Sequence, residues 1–430
     1  MQLTLFHAAE GSCFLLKSRD QKHMLCNGGT AASMRQVTRK NLSDLVGESG
    51  ELDYVYVSHS DKCRLEGVQQ LLEDALEWKR FDQLRKSGDR FTKQPAVPKP
   101  PKINGILHNQ FSDQLSMDTE KAEKLLLKFV EILRAAANPD FEAALFKAHN
   151  TALALSQAQR ISYLCEEKLL NIPQNKLPGT KRNKKILCGK SKGNDLVSFD
   201  VGTITITLLS PNKKDIKEVQ ERWEKWQSKF NIEKVYEQIR QQITQRLNKF
   251  ERGRASKTPF DLSDWHGMPE LDASAPDPVA SLVFLFEEAG KRIILMGDVT
   301  PAVLMKGLEK LPDYSKEDGL HVDVLKFPHP SCENYLHEFP ENLTADHYLM
   351  CGDGTAGQPA KTVVDRIVNS PTKNKSRKIW LSTHVDHLPI DSPRHKHMKE
   401  LTAYIQNQCE VKSNKLEYEV IEDEFLTLDL

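Results

Sequence analysis

The first part of the chain alternates apolar and polar positions over short distances, which predicts strands. Residues 1–30 have the pattern of a strand, a turn and a second strand, and residues 55–57 form an apolar strand that runs into a polar turn. The pair Gly28 and Gly29 marks a tight turn at which the backbone approaches a neighbouring element closely. Residues 203–209 alternate β-branched and apolar side chains, and this pattern predicts a further strand.

Two long stretches have helical periodicity instead, with apolar residues recurring every three or four positions. They predict helical insertions at approximately residues 68–170 and 213–257. The second insertion carries an apolar stripe formed by Trp223, Trp226 and Phe230. Such a stripe is more typical of a core or of a partner-binding face than of a ligand site.

The second half of the chain returns to strands, which alternate with helices. The predicted strands are residues 280–287, 291–297, 322–327, 345–351 and 378–382, and the predicted helices are residues 301–311 and 360–369. Alternation in both halves predicts two sheets packed between helices, which is an αββα order of layers within an α/β fold. We therefore expect a single domain over residues 1–430 with two helical insertions.

Composition argues against several function classes. The 430 residues include 60 Lys and Arg against 60 Asp and Glu, so no global field favours nucleic acid or an anionic membrane. No apolar run approaches the roughly 20 residues that span a bilayer, and the N-terminus lacks the basic and apolar regions of a signal peptide. The eight Cys are scattered without paired spacing, which favours reduced thiols in a cytoplasmic protein.

Chemistry-bearing side chains follow the strand predicted at residues 55–57. His59, Asp61 and Cys63 occupy alternate positions, and Arg64 comes directly after them. Hydrolytic metal sites commonly place their first ligands at this spacing where a strand ends. The arrangement predicts a metal site, although a guanidinium next to it would repel a cation at short range.

The run over residues 55–67 is similar to the His-x-His-x-Asp-His signature of the metallo-β-lactamase superfamily. It resembles the branch that contains the nuclease domain of DNA-uptake channels, in which the second His is Asp. Residues 292–298 resemble the family's Leu-Thr-Gly-Asp strand, and residues 322–331 resemble its Leu-Lys-x-Pro-His-His-Gly-Ser segment. Residues 346–354 resemble the strand that comes next. These segments, in the family order, imply a metallo-β-lactamase-like αββα sandwich with helical insertions.

The resemblance implies six candidate metal ligands, which are His59, Asp61, Cys63, His108, Asp298 and His329. One subsite would combine two imidazoles and two carboxylates from His59, Asp61, His108 and Asp298, a donor set compatible with Zn²⁺ or Mn²⁺. The other would draw on Cys63, His329 and the shared Asp298. In a hydrolase the metal would lower the pKa of a bound water, and Asp298 and Asp61 would be the catalytic carboxylates, with Asp298 orienting that water.

Several positions depart from the family pattern. Ser12 and Asn27 stand where active relatives carry carboxylates, Cys63 and Arg64 replace Asp and His, and Pro330 replaces the second His of the later motif. Pro330 offers no ligand atom. If Arg64 replaces a metal, its guanidinium should point into the cluster and pair with Asp298 or Asp61, since a planar fork of donors matches a carboxylate. Losing several such groups should lower metal affinity or activity by large factors, so a degraded, single-metal or metal-free site is expected.

A second polar run follows the strand predicted at residues 378–382. It contains His384, Asp386 and His387, and the two residues between the histidines allow chelation of an ion. Nothing in the family pattern requires a metal there, so ordinary hydrogen-bonded histidines are the simpler interpretation.

A basic loop covers residues 178–192 and includes Lys181, Arg182, Lys184 and Lys185. Such a loop can follow a phosphate backbone, so these four residues are the candidate nucleic-acid contacts. The loop has no interleaved aromatic residue for base stacking. A solvated connector is therefore the competing interpretation.

Two functions remain open from the sequence. The first is a metal-dependent hydrolase, a phosphodiesterase or nuclease, with a degraded or single-metal site. The second is a catalytically inactive subunit that binds nucleic acid or protein partners, and the resemblance suggests a bacterial anti-phage defence complex as one setting. Metal content separates the two, because a hydrolase should retain near-stoichiometric zinc or manganese and a silent subunit should not.

Overall fold

The computed structural model describes residues 1–115, 118–180, 185–189, 196–229, 231–252, 260–263, 280–328, 343–371 and 376–430. The strands in this part of the chain are β1 (Gln2–Phe6), β2 (Phe14–Lys17), β3 (His23–Cys26), β4 (Glu51–Leu52), β5 (Tyr54–Tyr56), β6 (Lys102–Ile103), β7 (Ile106–Leu107), β8 (Val197–Val201), β9 (Ile204–Ser210), β10 (Val283–Glu288), β11 (Lys291–Leu295), β12 (Leu320–Lys326), β13 (Leu343–Met350), β14 (Arg377–Leu381), β15 (Leu416–Val420) and β16 (Phe425–Asp429). They form two large sheets and a small ribbon of β4 and β6.

Parallel strands run through part of each large sheet. The six-stranded sheet has the order β16-β1-β2-β3-β5-β7, and its strands β3, β5 and β7 are parallel. The eight-stranded sheet has the order β15-β14-β13-β12-β11-β10-β9-β8, and the strands from β11 to β15 are parallel. Parallel neighbours place their carboxyl ends at the same edge, which is where ligand-binding loops of such sheets collect.

The α-helices of the described residues are α1 (Ala31–Ser33), α2 (Arg39–Val46), α3 (Lys62–Lys86), α4 (Phe111–Leu115), α5 (Thr119–Ala136), α6 (Glu142–Leu164), α7 (Lys213–Lys229), α8 (Ile232–Glu251), α9 (Pro301–Leu308), α10 (Lys361–Asn369) and α11 (Pro393–Glu410). None of the helices in the part of the chain that the structure describes combines the length and the apolarity needed to cross a membrane.

The apolar side chains divide into layers. Leu5 and Phe14 of the first sheet pack against Phe284 and Leu295 of the second, which makes the core between the sheets. The outer face of the first sheet is covered mainly by α3 and α6, through side chains such as Leu71.

The outer face of the second sheet is covered by α9, α10 and α11, through Leu308, Ile367 and Leu401. The order of layers is therefore helix, sheet, sheet, helix. The predicted αββα sandwich is confirmed, and the helical segment predicted at residues 68–170 supplies part of its outer layer.

A separate cluster joins helices α5, α7 and α8. Phe129 of α5 lies edge-on to Trp226 at a centroid distance of 5.2 Å, and Trp223 is 5.0 Å from Trp226. Both tryptophans are buried, so the predicted apolar stripe is a core of helix packing rather than a ligand site. The third member of the predicted stripe, Phe230, lies outside the described residues.

The end of the chain adds elements that the sequence patterns do not predict. Helix α11 and strands β15 and β16 follow the last predicted strand. Strand β16 pairs antiparallel with β1, with Gln2 opposite Asp429 and Phe6 opposite Phe425. The two ends of the chain therefore complete one edge of the first sheet together.

The close approach predicted at Gly28 and Gly29 is confirmed. Helix α3 crosses this turn so tightly that the backbone N of Gly67 donates to the carbonyl of Gly29 at 3.0 Å. A Cβ on Gly67 would lie 1.9 Å from the carbonyl oxygen of Gly28, which leaves no room for a side chain. The contact fixes where α3 begins, and therefore where the side chains of its first turn point.

Substituting Gly67 with Ala should lower the free energy of unfolding by about 1–3 kcal/mol, because the added methyl overpacks two backbones that cannot move apart freely. A urea titration followed by circular dichroism measures the change. Gly189→Ala is the matched control, since a Cβ at Gly189 meets no atom within 4 Å. Equal stability of the two variants would contradict the packing described for α3.

Candidate metal centre

Two strand ends, one in each sheet, deliver the central side chains. His59 follows β5 in the turn before α3, and Asp61 is the N-cap of α3. Oδ1 of Asp61 accepts a hydrogen bond from the backbone N of Cys63 at 2.8 Å, as an N-cap side chain commonly does. Asp298 follows β11, and its backbone N donates to Oγ of Ser281 at 2.9 Å. Both carboxylates and the imidazole thus reach the edge shared by the two sheets.

The side chains of His59, Asp61 and Asp298 converge. Each offers one ligand atom, and these atoms all lie within 4.8 Å of one another. Nε2 of His59 is 3.0 Å from Oδ2 of Asp298 and 3.8 Å from Oδ2 of Asp61. Two ligands held about 2.1 Å from one tetrahedral ion are about 3.4 Å apart, so the separations match a single ion. Within the described residues, no other group of three or more His, Cys, Asp or Glu side chains meets this criterion.

Arg64 occupies the space between these three groups. Its Nη1 lies 3.0 Å from Nε2 of His59 and 3.0 Å from Oδ2 of Asp61. Its Nη2 donates to Oδ1 of Asp298 at 3.2 Å. The side chain is 1% exposed, so the guanidinium is a buried cation. The sequence prediction that Arg64 points into the cluster and pairs with its carboxylates is confirmed.

The charged groups of the cluster stabilise one another in their ionised forms. Burial opposes the charge on Arg64, but Asp298 and Asp61 outweigh it and raise the pKa of the guanidinium. Burial likewise opposes the charge on Asp61, but Arg64 and His59 outweigh it and hold the pKa of that carboxyl well below its usual range. Arg64 therefore remains cationic and Asp61 remains ionised at neutral pH.

His59 cannot satisfy both of its close neighbours at Nε2. An unprotonated Nε2 accepts from Arg64 but meets the lone pairs of Asp298 at 3.0 Å. A protonated Nε2 donates to Asp298 but opposes the N–H of Arg64. Nδ1 of the same ring lies 3.2 Å from Oγ of Ser58. The three acceptor atoms therefore keep the arrangement of a ligand set, even though a guanidinium fills it.

The residues present do not fit a metal while Arg64 is in place. All three groups that could hold an ion are already in contact with the guanidinium. An ion in the same space would also be repelled by the positive charge at short range. No catalytic step is therefore assigned to a metal at this centre.

Cys63 is not arranged as a ligand. Its Sγ donates a hydrogen bond to Oδ1 of Asp61 at 2.8 Å. Burial raises the pKa of the Cys63 thiol well above its usual value, and the charge of Asp61 raises it further. Metal coordination requires the thiolate, so the protonated thiol acts here as a donor that orients Asp61.

His108 lies beside the cluster and outside the convergent group. Its Nε2 is 3.1 Å from Oγ of Ser60, and its Nδ1 is buried without a hydrogen-bond partner in the part of the chain that the structure describes. Burial lowers the pKa of His108 to about 3, and the neighbouring His59 adds to the shift. The imidazole is therefore neutral near pH 7 and is held as a buried polar side chain.

Two of the departures from the family pattern pair with each other. Nδ2 of Asn27 donates to Oγ of Ser12 at 3.2 Å, and Oδ1 of Asn27 accepts from the backbone N of Ser58 at 2.9 Å. These residues thus fix the backbone immediately before His59. Ser12 and Asn27 therefore position this turn, and Ser and Asn are common in turns because their side chains bond to nearby backbone groups.

The sequence patterns do not single out Glu10 or Ser281, and both contribute to this region. A Cβ on Gly11 would lie 2.0 Å from the carbonyl oxygen of Cys63, so the loop that carries Glu10 packs against the start of α3. Burial raises the pKa of Glu10, although Lys62 opposes the shift. Gly11 was the available signal for the close approach, whereas nothing in the sequence marked Ser281.

Four predicted site residues, His329, Lys181, Arg182 and Lys184, lie outside the described residues, together with Pro330. Lys185 is described and is partly exposed. The nucleic-acid loop and the second metal subsite thus stay predictions.

No protein-family model matches the chain, and no curated protein matches it. Among solved structures, it is similar to the metallo-beta-lactamase fold protein YhfI from Bacillus subtilis, at 11% identity over 100% of both chains with a TM-score of 0.32. It is also similar to a long form RNase Z from yeast, at 8% identity over 89% of this chain and 36% of that chain, with a TM-score of 0.30.

A third similar structure is a metallo-beta-lactamase with a HARLDQ motif from Cronobacter sakazakii. It shares 24% identity over 24% of this chain and 44% of that chain, with a TM-score of 0.15. All three TM-scores are low, so no residue role is transferred from these proteins. The order of the two sheets and the helices outside them establishes an αββα sandwich.

Replacing Arg64 with Met should destabilise the protein by about 3–5 kcal/mol, because Asp61 and Asp298 would lose the cation that neutralises them. Guanidinium denaturation measures the loss. In the Arg64→Met background, Asp298→Asn should recover part of it, since one unpaired charge is removed.

The matched control for this substitution is Arg160→Met. Arg160 pairs with Glu73 at 3.3 Å, and its side chain is 46% exposed. An exposed pair of this kind contributes about 0–1 kcal/mol. A loss at Arg64 no larger than the loss at Arg160 would show that the buried cluster is not a stabilising unit.

Proposed function

We propose that this chain is a metallo-β-lactamase-fold protein that does not use its central cluster for hydrolysis and acts as a binding subunit. The observation that carries the proposal is the buried guanidinium of Arg64, which contacts His59, Asp61 and Asp298 at 3.0–3.2 Å. Arg64 supplies the positive charge that this set of side chains requires. The cluster is then a structural ion-pair network.

The remaining groups near the cluster also lack the state that hydrolysis needs. Asp61 has a pKa held well below its usual range, by Arg64 against the effect of burial, so it is a weak base for activating water. Cys63 is protonated and bonded to Asp61. Both carboxylates are engaged by Arg64, which leaves no open position at which a water could be activated.

The alternative is a metal-dependent phosphodiesterase or nuclease with a single Zn²⁺ or Mn²⁺. Three observations favour it. The ligand atoms of His59, Asp61 and Asp298 remain within 4.8 Å of one another, and the proton conflict at His59 would disappear if an ion replaced the guanidinium. The side chains of Asp61 and Asp298 are 28% and 17% exposed, so solvent reaches the cluster.

Metal content and activity distinguish the two functions. Wild-type protein and His59→Ala should bind the same amount of zinc and of manganese, because no ion depends on His59. Both proteins should hydrolyse bis(p-nitrophenyl) phosphate at the same background rate. Elemental analysis after dialysis against each metal and an absorbance assay give the two readouts. Metal and activity that are both lost in His59→Ala would overturn the proposal and establish the hydrolase.

A gain of metal tests the role of Arg64 directly. Arg64→His combined with Cys63→Asp would restore two ligands, and it should raise the zinc content by about one equivalent over wild type. Adding His59→Ala should remove this increment. A double variant that gains no zinc would assign the defect to Pro330 or to the missing carboxylates at Ser12 and Asn27.

Nucleic acid is the partner class that the basic loop favours. If the loop follows a phosphate backbone, replacing Lys181, Arg182, Lys184 and Lys185 with Ala should weaken DNA or RNA binding equally for all sequences. The salt dependence should also become flatter, by about 0.7–0.9 in slope for each lost phosphate contact. Filter-binding titrations at several salt concentrations measure both quantities.

The control for the loop variant replaces exposed lysines of α7, which are Lys213, Lys214, Lys217 and Lys225. It removes a similar charge from a different surface, so it should leave more of the binding intact. Unchanged affinity and slope in the loop variant would make the loop a solvated connector. A protein partner in a multi-subunit system, such as an anti-phage defence complex, would then be the remaining form of the proposal.

A further inference from the structure

Three histidines lie near one another at a second place where the two sheets come together, but their ring nitrogens do not all lie within 4.8 Å of one another in this arrangement. His7 follows β1 of the first sheet, whereas His384 and His387 follow β14 of the second. The ring centroids of His7 and His387 are 4.9 Å apart, and those of His384 and His387 are 6.1 Å apart. We refer to these three residues as the histidine trio. The trio shares no residue with the cluster around Arg64.

Two buried polar atoms in this region lack partners. Nε2 of His7 is shielded from solvent and has no hydrogen-bond partner in the part of the chain that the structure describes. The same holds for Oγ1 of Thr383, the residue before His384, whose side chain is 1% exposed. Buried polar atoms normally find a partner, so an unpaired imidazole nitrogen beside two other imidazoles indicates an absent ligand.

The surroundings of His7 favour its neutral imidazole. Burial lowers the pKa of His7, and the nearby His387 lowers it further, while Asp353 acts in the opposite direction. Asp353 forms an ion pair with Arg394 at 2.7 Å, so its negative charge is largely neutralised. A neutral imidazole is the form that binds metal ions.

We propose that His7, His384 and His387 bind one divalent transition-metal ion of the zinc class, with water as the remaining ligand. Three imidazoles and a water form a common tetrahedral donor set for Zn²⁺. His7 is half-buried and gives the fixed ligand. His384 is 31% exposed and His387 is exposed, so both can rotate to bring their nitrogens onto a common point.

Asp386 is placed to support His384 as a ligand. Oδ2 of Asp386 lies 3.5 Å from Nδ1 of His384, and the backbone N of Asp386 donates to the same nitrogen at 3.2 Å. Binding of an ion at Nε2 would move the ring proton to Nδ1. The hydrogen bond from the backbone N of Asp386 to Nδ1 would then break, and Nδ1 would donate to the Asp386 carboxylate instead. A carboxylate behind a ligating histidine is the usual outer partner that fixes the tautomer.

The ion would link the two halves of the sandwich. His7 belongs to the first sheet and the other two ligands belong to the second, so the ion forms a cross-link between β1 and β14. An ion that binds the folded state alone stabilises it by mass action. Zinc should therefore raise the midpoint of thermal unfolding in a concentration-dependent manner.

The test measures zinc binding to the full chain by calorimetry and by elemental analysis after dialysis against zinc chloride. Wild type, His59→Ala and the control His149→Ala should each bind about one equivalent. His7→Ala, His384→Ala and His387→Ala should bind at least about 10-fold more weakly, and zinc should no longer raise their unfolding midpoints. His384 and His387 are at the surface, so at least two of these variants test binding without a loss of folding.

Zinc affinity that is unchanged in all three variants of the histidine trio overturns the proposal. Zinc that is lost in His59→Ala and kept in His387→Ala also overturns it, and this pattern would refute the function proposed for the central cluster as well. Zinc that is lost in His387→Ala and kept in His59→Ala supports both. Cobalt substitution adds a second readout, because its visible absorption should change in His387→Ala and stay unchanged in His59→Ala.

Discussion

A single buried cation connects the two sheets at the centre of this molecule. The guanidinium of Arg64 bonds to His59 and Asp61 after β5 and to Asp298 after β11. A buried charge is tolerated only when it is paired and hydrogen-bonded, so these three groups cannot move apart independently. The turn before α3 and the loop after β11 are therefore held in register by one side chain.

The positions of these residues could be predicted because a strand end fixes where the next side chains emerge. His59, Asp61 and Asp298 each follow an apolar strand, and they meet at one edge. The sequence also predicted that Arg64 points into the cluster, because the planar donors of a guanidinium can pair with carboxylates. The sequence did not predict the role of Cys63, because the spacing gives no information on burial or on the hydrogen bond from its Sγ to Asp61.

Long-range pairing marks the limit of prediction for the fold. Alternating strands and helices predict the αββα layers, because the local spacing of apolar residues determines the type of each element. The pairing of β1 with β16 joins the two ends of the chain, and α11 and β15 have no distinctive local pattern. The contact of His7 with His387 depends on this same arrangement of distant segments. A short run containing His384 and His387 could suggest chelation, but it could not identify the third histidine.

The cation in the central cluster is a side chain of the protein, whereas a metal ion must bind from solution. This difference changes how the stability of the cluster depends on conditions. A bound ion stabilises a fold by an amount that rises with its concentration relative to Kd, so stability then depends on metal supply. Arg64 is always present, and Asp298 and Asp61 raise the pKa of its guanidinium against the effect of burial. The same side chain removes the open position that a catalytic metal needs for its water. A guanidinium and a metal ion are therefore mutually exclusive occupants of one set of side chains, and in this structure the set holds the guanidinium.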